Sequence, residues 1–311
     1  MAMTGSALAQ TKSRWSPSKP VRIISSAAGG ILDVVARQLA EQLAPALGQA
    51  VIVENKPGAG NIVAMEAARS SAPDGQTLAI TTFVEMTINP WLYERLPYDP
   101  VKDFVPVTVL YAGAILLVAH PSFPGETLAD LIRLAKAQPG KYMYGSSGVA
   151  RPPHIWVERF KHTAGIDIGH VPFKGGPPLA HAVLAGDVML GMEGAPPLLP
   201  HVKAGKLKAL AVTGDKRLTA LPDVPTFAEA GVPGIGLTWV GIVAPAGTPP
   251  AAVERLQQEI GRALQSPQIR AAYEQAGRTV VGNTPQEFAA LIAKELPEWR
   301  DIVKATHLRP E

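Results

Sequence analysis

The sequence predicts an α/β protein of two lobes, each built on a mostly parallel sheet flanked by helices. Three observations carry that reading. Strand-like apolar runs alternate with helix-like segments along most of the chain, the pattern of parallel sheets with helices packed on their faces. The 311 residues exceed the usual single-domain size and leave ample length for a core in each of two lobes. Three of the apolar runs stop at a glycine-rich turn that leads at once into a helix-like segment, as strand-to-helix turns in such proteins do.

In chain order, the run Val21-Arg22-Ile23-Ile24 predicts a strand over 21–25. After the turn Ser25-Ser26-Ala27-Ala28-Gly29-Gly30, a helix is expected over 31–47, where Val34, Val35, Leu39 and Leu43 recur at helical spacing. Its only proline, Pro45, stands near its end. Strands over 50–54 and 77–81 enclose a helix over 62–70. The longest apolar stretch, Val107 to Ala119, contains Thr108 and Gly113 and falls short of the ~20 residues that span a bilayer; it reads as one long buried strand. A helix over 126–137 and a strand over 141–145 lead to the second glycine turn, Tyr144-Gly145-Ser146-Ser147-Gly148, and a helix over 152–164. A strand over 168–171 leads to the third, Val171-Pro172-Phe173-Lys174-Gly175-Gly176, and a helix over 177–185. Strands over 187–191, 208–213 and 238–244 follow, then helices over 249–265, 267–276 and 285–305. Proline falls mostly in turns such as Leu96–Pro100 and Ala244–Pro250, and no repeat of fixed period occurs.

Composition excludes several function classes. With 47% hydrophobic and 18% charged residues and a net charge of +3, no basic patch interleaved with aromatics asks for nucleic acid or an anionic membrane. The absence of cysteine removes disulfides, thiolate metal sites and a cysteine nucleophile. Gly145-Ser146-Ser147-Gly148 does not fit Gly-x-Ser-x-Gly, so a serine hydrolase is disfavoured. No Walker pattern occurs and Gly29-Gly30 lacks dinucleotide spacing, so no cofactor is expected. His154, Glu158 and His162 share one helical face, as metal ligands or as a solvated polar face; with Arg159 and Lys161 beside them, the solvated face is preferred and no metal is expected. Ala7-Leu8-Ala9 before Gln10 has the small-x-small form of a signal-peptidase site. Residues 1–16 therefore read as an export-signal remnant with a disordered N-terminus, a short alanine-rich tag being the other reading.

The three glycine turns point toward anion binding. A helix leaves its first N–H groups unpaired and partly positive, and glycine lets a carboxylate or phosphate approach the backbone. Any one turn is better explained by ordinary loop geometry; only the recurrence of three brings the anion reading level with it.

From residue 17 onward the chain resembles the tripartite tricarboxylate transporter substrate-receptor family, the Bug family of periplasmic solute-binding proteins. The resemblance is carried by Lys19–Ile24, Ala27-Ala28-Gly29-Gly30 with Asp33, Val53–Gly60, Ile88-Asn89-Pro90, Tyr98–Phe104, Tyr144–Gly148, His170–Gly175, Pro200–Leu207, Leu221–Thr226 and Ala244–Pro249. It implies a type II periplasmic-binding-protein (Venus flytrap) fold whose chain crosses the hinge twice, near 112–120 and 239–244. Domain 1 would comprise 17–115 plus 242–311, and domain 2 would comprise 116–241. It also implies a carboxylate held in the cleft largely by backbone N–H groups, release to membrane permease subunits, and a periplasmic location without stable membrane insertion. On this basis the expected ligand contacts are Ser26, Ala27, Ala28, Gly29, Gly30, Asp33, Thr82, Phe83, Glu85, Ser146, Ser147, Arg151, His154, Phe173, Lys174, Gly175, Glu193 and Trp239.

Departures from the family pattern bear on the ligand. Ser25, Ser26, Ile31 and Leu32 replace Pro, Phe, Gly and Thr of the usual first loop, and Val149, Ala150 and Arg151 replace Asn-Gly-Ser. Arg151 is placed either to pair a second carboxylate bidentately or to point into solvent. Glu85 and Glu193 are placed either to receive a ligand ammonium or amide, or to pair with Arg151 or Lys174. The expected function is a non-catalytic receptor delivering a small organic acid, aromatic or amino-bearing, to a tripartite transporter. The alternatives are a sensing partner of a membrane kinase and an enzyme acting on the bound acid.

Overall fold

The computed structural model describes residues 15–306 and Leu308; the signal-remnant reading of residues 1–9 lies outside them. Trp15, within the expected disordered N-terminus, is instead half-buried against the core beside the first sheet.

The first half of the larger sheet forms as the sequence reads: β1 (Val21–Ser25), α1 (Ile31–Leu47), β2 (Val51–Asn55), α2 (Ile62–Arg69) and β3 (Thr77–Thr82). A π-turn over Val84–Ile88 and the short α3 (Asn89–Leu92) follow, neither expected from the sequence. The anticipated single strand over 107–119 is two strands, β4 (Phe104–Gly113) and β5 (Ile115–Ala119), separated by Ala114 and lying in different sheets. Next come α4 (Leu128–Ala137), β6 (Met143–Ser146), α5 (Pro152–Ala164), β7 (Gly169–Pro172), α6 (Gly176–Ala185), β8 (Leu190–Gly194), α7 (Ala195–Lys203) and β9 (Lys208–Val212). The chain ends with β10 (Thr238–Pro245), α8 (Pro250–Leu264), α9 (Pro267–Gln275), β11 (Arg278–Val280) and α10 (Pro285–Thr306).

Both sheets are mixed. The larger runs β11-β4-β10-β3-β1-β2 and the smaller β7-β6-β8-β5-β9. In each, three strands are parallel, β1 with β2 and β3, and β6 with β7 and β8. The crossing strands add antiparallel pairs: β10 with β3 and β4, and β5 with β8 and β9. The register Gly113↔Thr238 puts the end of β4 on the edge where β3 ends. Ile115↔Gly194 starts β5 where β8 ends. The carboxyl edges of both parallel sets therefore flank one link, Ala114.

That link is laced to the return crossing. Ile115 N–H donates to Thr213 Oγ1 at 2.9 Å, Thr213 N–H to Ile115 O at 3.0 Å, and Thr238 Oγ1 to Gly113 O at 3.0 Å. All of β10 pairs within the larger sheet, so the return crossing lies between β9 and β10, ahead of the expected 239–244. A contiguous apolar cluster joins residues of both sheets, including Ile24, Phe83 and Val109 with Leu117, Tyr144 and Met192. Helix α10 closes it: Trp299 packs on Phe83 at 5.8 Å and on Trp156 of α5 at 5.0 Å.

Candidate functional site

At the first carboxyl edge, β1 hands over to α1 through Ser26–Gly30. Gly29 takes φ +74, a left-handed conformation that favours glycine, and its N–H donates to Asp33 Oδ2 at 2.9 Å. Asp33 is buried and also accepts from Arg37 and, at 2.8 Å, from Asn55 Nδ2. Arg37, with these other donors, holds its carboxyl down at about 2 against the cost of burial. Asp33, expected among the ligand contacts, thus fixes the turn from behind, with both oxygens engaged within the protein. Ala27, Ala28 and Gly29 are exposed. Gly30 N-caps α1, and no side chain caps that helix. Its first turn, Ile31-Leu32-Asp33, contains no proline, so its amides are intact. Ile31 and Val34 expose apolar side chains beside them.

Three further residues expected at this edge are packed or bonded within the protein. Phe83 is 1% exposed and stacks on Trp156 at 5.9 Å. Trp239 is buried, with Phe288 edge-on at 5.1 Å and its Nε1–H on Glu295 at 3.0 Å. Both rings belong to the core that joins the sheets. The Glu85 carboxylate accepts from Thr82 N–H at 2.7 Å and from the Thr82 hydroxyl. Burial raises its pKa, and it closes the turn after β3 instead of pairing with a cation across the cleft. Thr82 is correspondingly engaged.

At the second edge, β6 ends in Ser146, whose Oγ accepts from Gly148 N–H at 3.3 Å and meets His170 Nε2 at 2.7 Å. Ala150, with φ +52, donates its N–H to His154 Nδ1 at 3.0 Å. His154 stacks on His170 at 4.1 Å, and burial lowers the pKa of each to about 4. The face with Glu158 is structural: Tyr144 OH and Lys161 Nζ both donate to Glu158 at 2.9 Å. Among the described residues no group of His, Asp and Glu is arranged to hold a metal ion. His154 and Ser146 therefore shape the turn from beneath.

Above them, Ser147 is half-buried and Arg151 exposed, the arginine lying over Gly148. Phe173 packs over Gly145, Lys174 is exposed, and Gly175, at φ +105, N-caps α6. Glu193, next to last in β8, lies against Gly176, with Oε1 accepting from Gly194 N–H at 2.8 Å. Helices α5, α6 and α7 all start here without side-chain caps. Each carries two prolines in its first turn, Pro152-Pro153, Pro177-Pro178 and Pro196-Pro197, which remove N–H donors.

Sequence reading missed two groups at the first edge. Ser25 Oγ and both amide atoms of Asn61 are buried without a hydrogen-bond partner. Asn61 precedes α2 with φ +80 and does not cap it, lying near Glu85 instead. A separate surface cavity of about 560 Å³, lined by Arg69, Trp91, Tyr93 and Leu296, involves none of these edge residues.

Comparison with known proteins agrees with this architecture. The protein BugT of Bordetella pertussis is 34% identical over 293 residues, 93% of this chain and 90% of its own. A Rhodopseudomonas palustris protein solved with adipate is 32% identical with a TM-score of 0.79, covering 95% of this chain and 99% of that one. MatC from Rhodopseudomonas palustris with bound malate is 30% identical, with a TM-score of 0.77 and coverage of 92% and 99%. Residues 35–308 match the family described as tripartite tricarboxylate transporter family receptor, and the chain belongs to that family.

Proposed function

We propose that the chain is a periplasmic receptor that captures a small organic acid between its two carboxyl edges and delivers it, without chemistry, to a tripartite tricarboxylate-type permease. The carrying observation is the start of α1, where intact and uncapped first-turn amides adjoin an exposed turn beside the link at Ala114. Such a helix start takes a carboxylate without help from lysine or arginine. Ile31 and Val34 supply an apolar wall for the body of the ligand, and Arg151 and Lys174 add positive charge at the opposite edge. Two solved relatives were obtained with adipate and malate, which supports the acid class. In this reading the lobes are 17–115 with 238–311, and 116–237; the expected boundary at 241/242 moves ahead of Thr238 because β10 stays in the larger sheet.

Melting-temperature screens against adipate, malate and benzoate test capture, because a ligand that binds only the folded chain stabilises it, by about 2.7 kcal/mol at a hundred times Kd. Loss of acid uptake on deleting the gene tests delivery. No shift with any acid would reject the reading; a shift with unchanged uptake would reject only the transport step.

A further inference from the structure

Glu193 lies near the end of β8, at the carboxyl edge of the smaller sheet's parallel set. Its Oε1 already takes the Gly194 N–H at the start of α7. Its Cγ lies 3.2 Å from where a Cβ of Gly176 would be, against the first residue of α6. The smaller sheet's edge is thus supplied with a carboxylate of its own. Its Oε2 is buried and under-satisfied, with only the nearby Ser147 hydroxyl to help hold the carboxylate, and an acceptor left in that state costs free energy that an incoming donor would recover. The prolines of α5, α6 and α7 leave this edge few amides with which to hold another anion, whereas the start of α1 keeps all of its own.

We propose that Glu193 selects the far end of the ligand, refusing a second carboxylate and accepting a hydrogen-bond donor, amide or ammonium. The inference rests on the reading that α1 holds the first carboxylate. Two carboxylates placed together repel, and one must take up a proton before both fit; an N–H group instead meets the under-satisfied Oε2. Burial already raises the Glu193 pKa, while Ser147, the Gly194 amide and the charge of Arg151 pull it back. Arg151 forms no ion pair with it within 4.0 Å among the described residues, so the carboxylate is not neutralised by direct contact.

Calorimetric titration of the full chain with adipate, adipate monoamide and 6-aminohexanoate, and with succinate, succinamate and 4-aminobutyrate, tests this. In at least one length series the two donor-ended acids should bind about tenfold or more tighter than the diacid. Glu193→Gln, which keeps the shape and removes the charge, should tighten the diacid and close that gap; Glu193→Ser, checked by melting, serves if the first variant is poorly folded. A wild-type chain that prefers the diacids, or a gap unchanged in the variants, overturns the inference and leaves carboxylate capture standing. Binding of none of the six overturns both.

Discussion

Asp33 shows how a single buried carboxylate organises the turn between β1 and α1. Arg37, the Gly29 amide and Asn55 surround it, and hydrogen bonds to a charged group contribute about 1.5–3 kcal/mol each. Asp33→Ala should therefore cost about 2 kcal/mol at neutral pH. Its folded pKa, about 2 against an ordinary 3.8, makes that contribution present above 3.8 and lost as pH falls toward 2. Urea denaturation at pH 7 and pH 2.5 should show the gap between variant and wild type shrinking in acid. Glu295 has the opposite sign. Burial raises its pKa from 4.5 to about 7, against the Trp239 N–H that it accepts. Its contribution is complete below 4.5 and lost as pH rises through 7. Glu295→Gln keeps an acceptor for Trp239 but cannot ionise, so its stability relative to wild type should improve by about 3 kcal/mol between pH 4.5 and pH 8. A constant difference would show that Glu295 is not held protonated. The sequence made the glycine turns legible but not the direction of these acids. Asp33, Phe83 and Trp239 were all read as cleft residues, because a residue next to a binding loop looks the same whether it points into the cleft or the core.

At the scale of elements, most strands and helices were visible in their periodicity, and the errors have definite causes. Helix α7 was overlooked because Pro196, Pro197 and Pro200 look like breakers, yet a first turn tolerates Pro196 and Pro197, whose missing N–H groups would be unpaired there anyway, and the short helix carries Pro200 in its interior. Strand β8 lies three residues beyond the expected 187–191, and that shift carries Glu193 close to the strand end, beside the start of α7. The fused 107–119 strand could not be divided from hydrophobicity alone, since both halves are predominantly apolar and only their partners differ. The candidate site depends on the start of α1, and Gly30 tests it. A Cβ there would lie 3.2 Å from Ala27 O, tight enough to need a small shift. The backbone, φ −74 and ψ 168, suits a β-branched residue. Gly30→Val should lower stability by about 1 kcal/mol while weakening acid binding about tenfold or more, because its methyl groups crowd the exposed amides. Unchanged affinity by calorimetry would move the carboxylate elsewhere.

Across the whole molecule, the two sheets are joined in two places of different character. The crossing strands at Gly113–Ile115 and between β9 and β10 provide backbone continuity, tied by Thr213 and Thr238. The aromatic group of Phe83, Trp156 and Trp299 joins them by packing, with Arg159 over Trp156 and Trp299 at 5.7 and 5.6 Å. Because one apolar cluster contains residues of both sheets, unfolding either half exposes surface belonging to the other, and the chain should melt in a single transition. Trp156 is the residue on which this depends: it comes from α5 of the smaller sheet's half yet packs against Phe83 and Trp299 of the other. Its Nε1 has no hydrogen-bond partner, so truncation removes ring packing and the Arg159 contact without leaving a hydrogen bond broken. Trp156→Ala should cost about 3–5 kcal/mol and divide the calorimetric trace into two overlapping transitions. Acid added to the variant should draw the two transitions together again, since a ligand held by both edges couples the halves by its contacts with each. A wild-type chain that already melts in two steps would show that the aromatic cluster does not couple the sheets. A ligand that shifts only one transition of the variant would show that it is held at one edge.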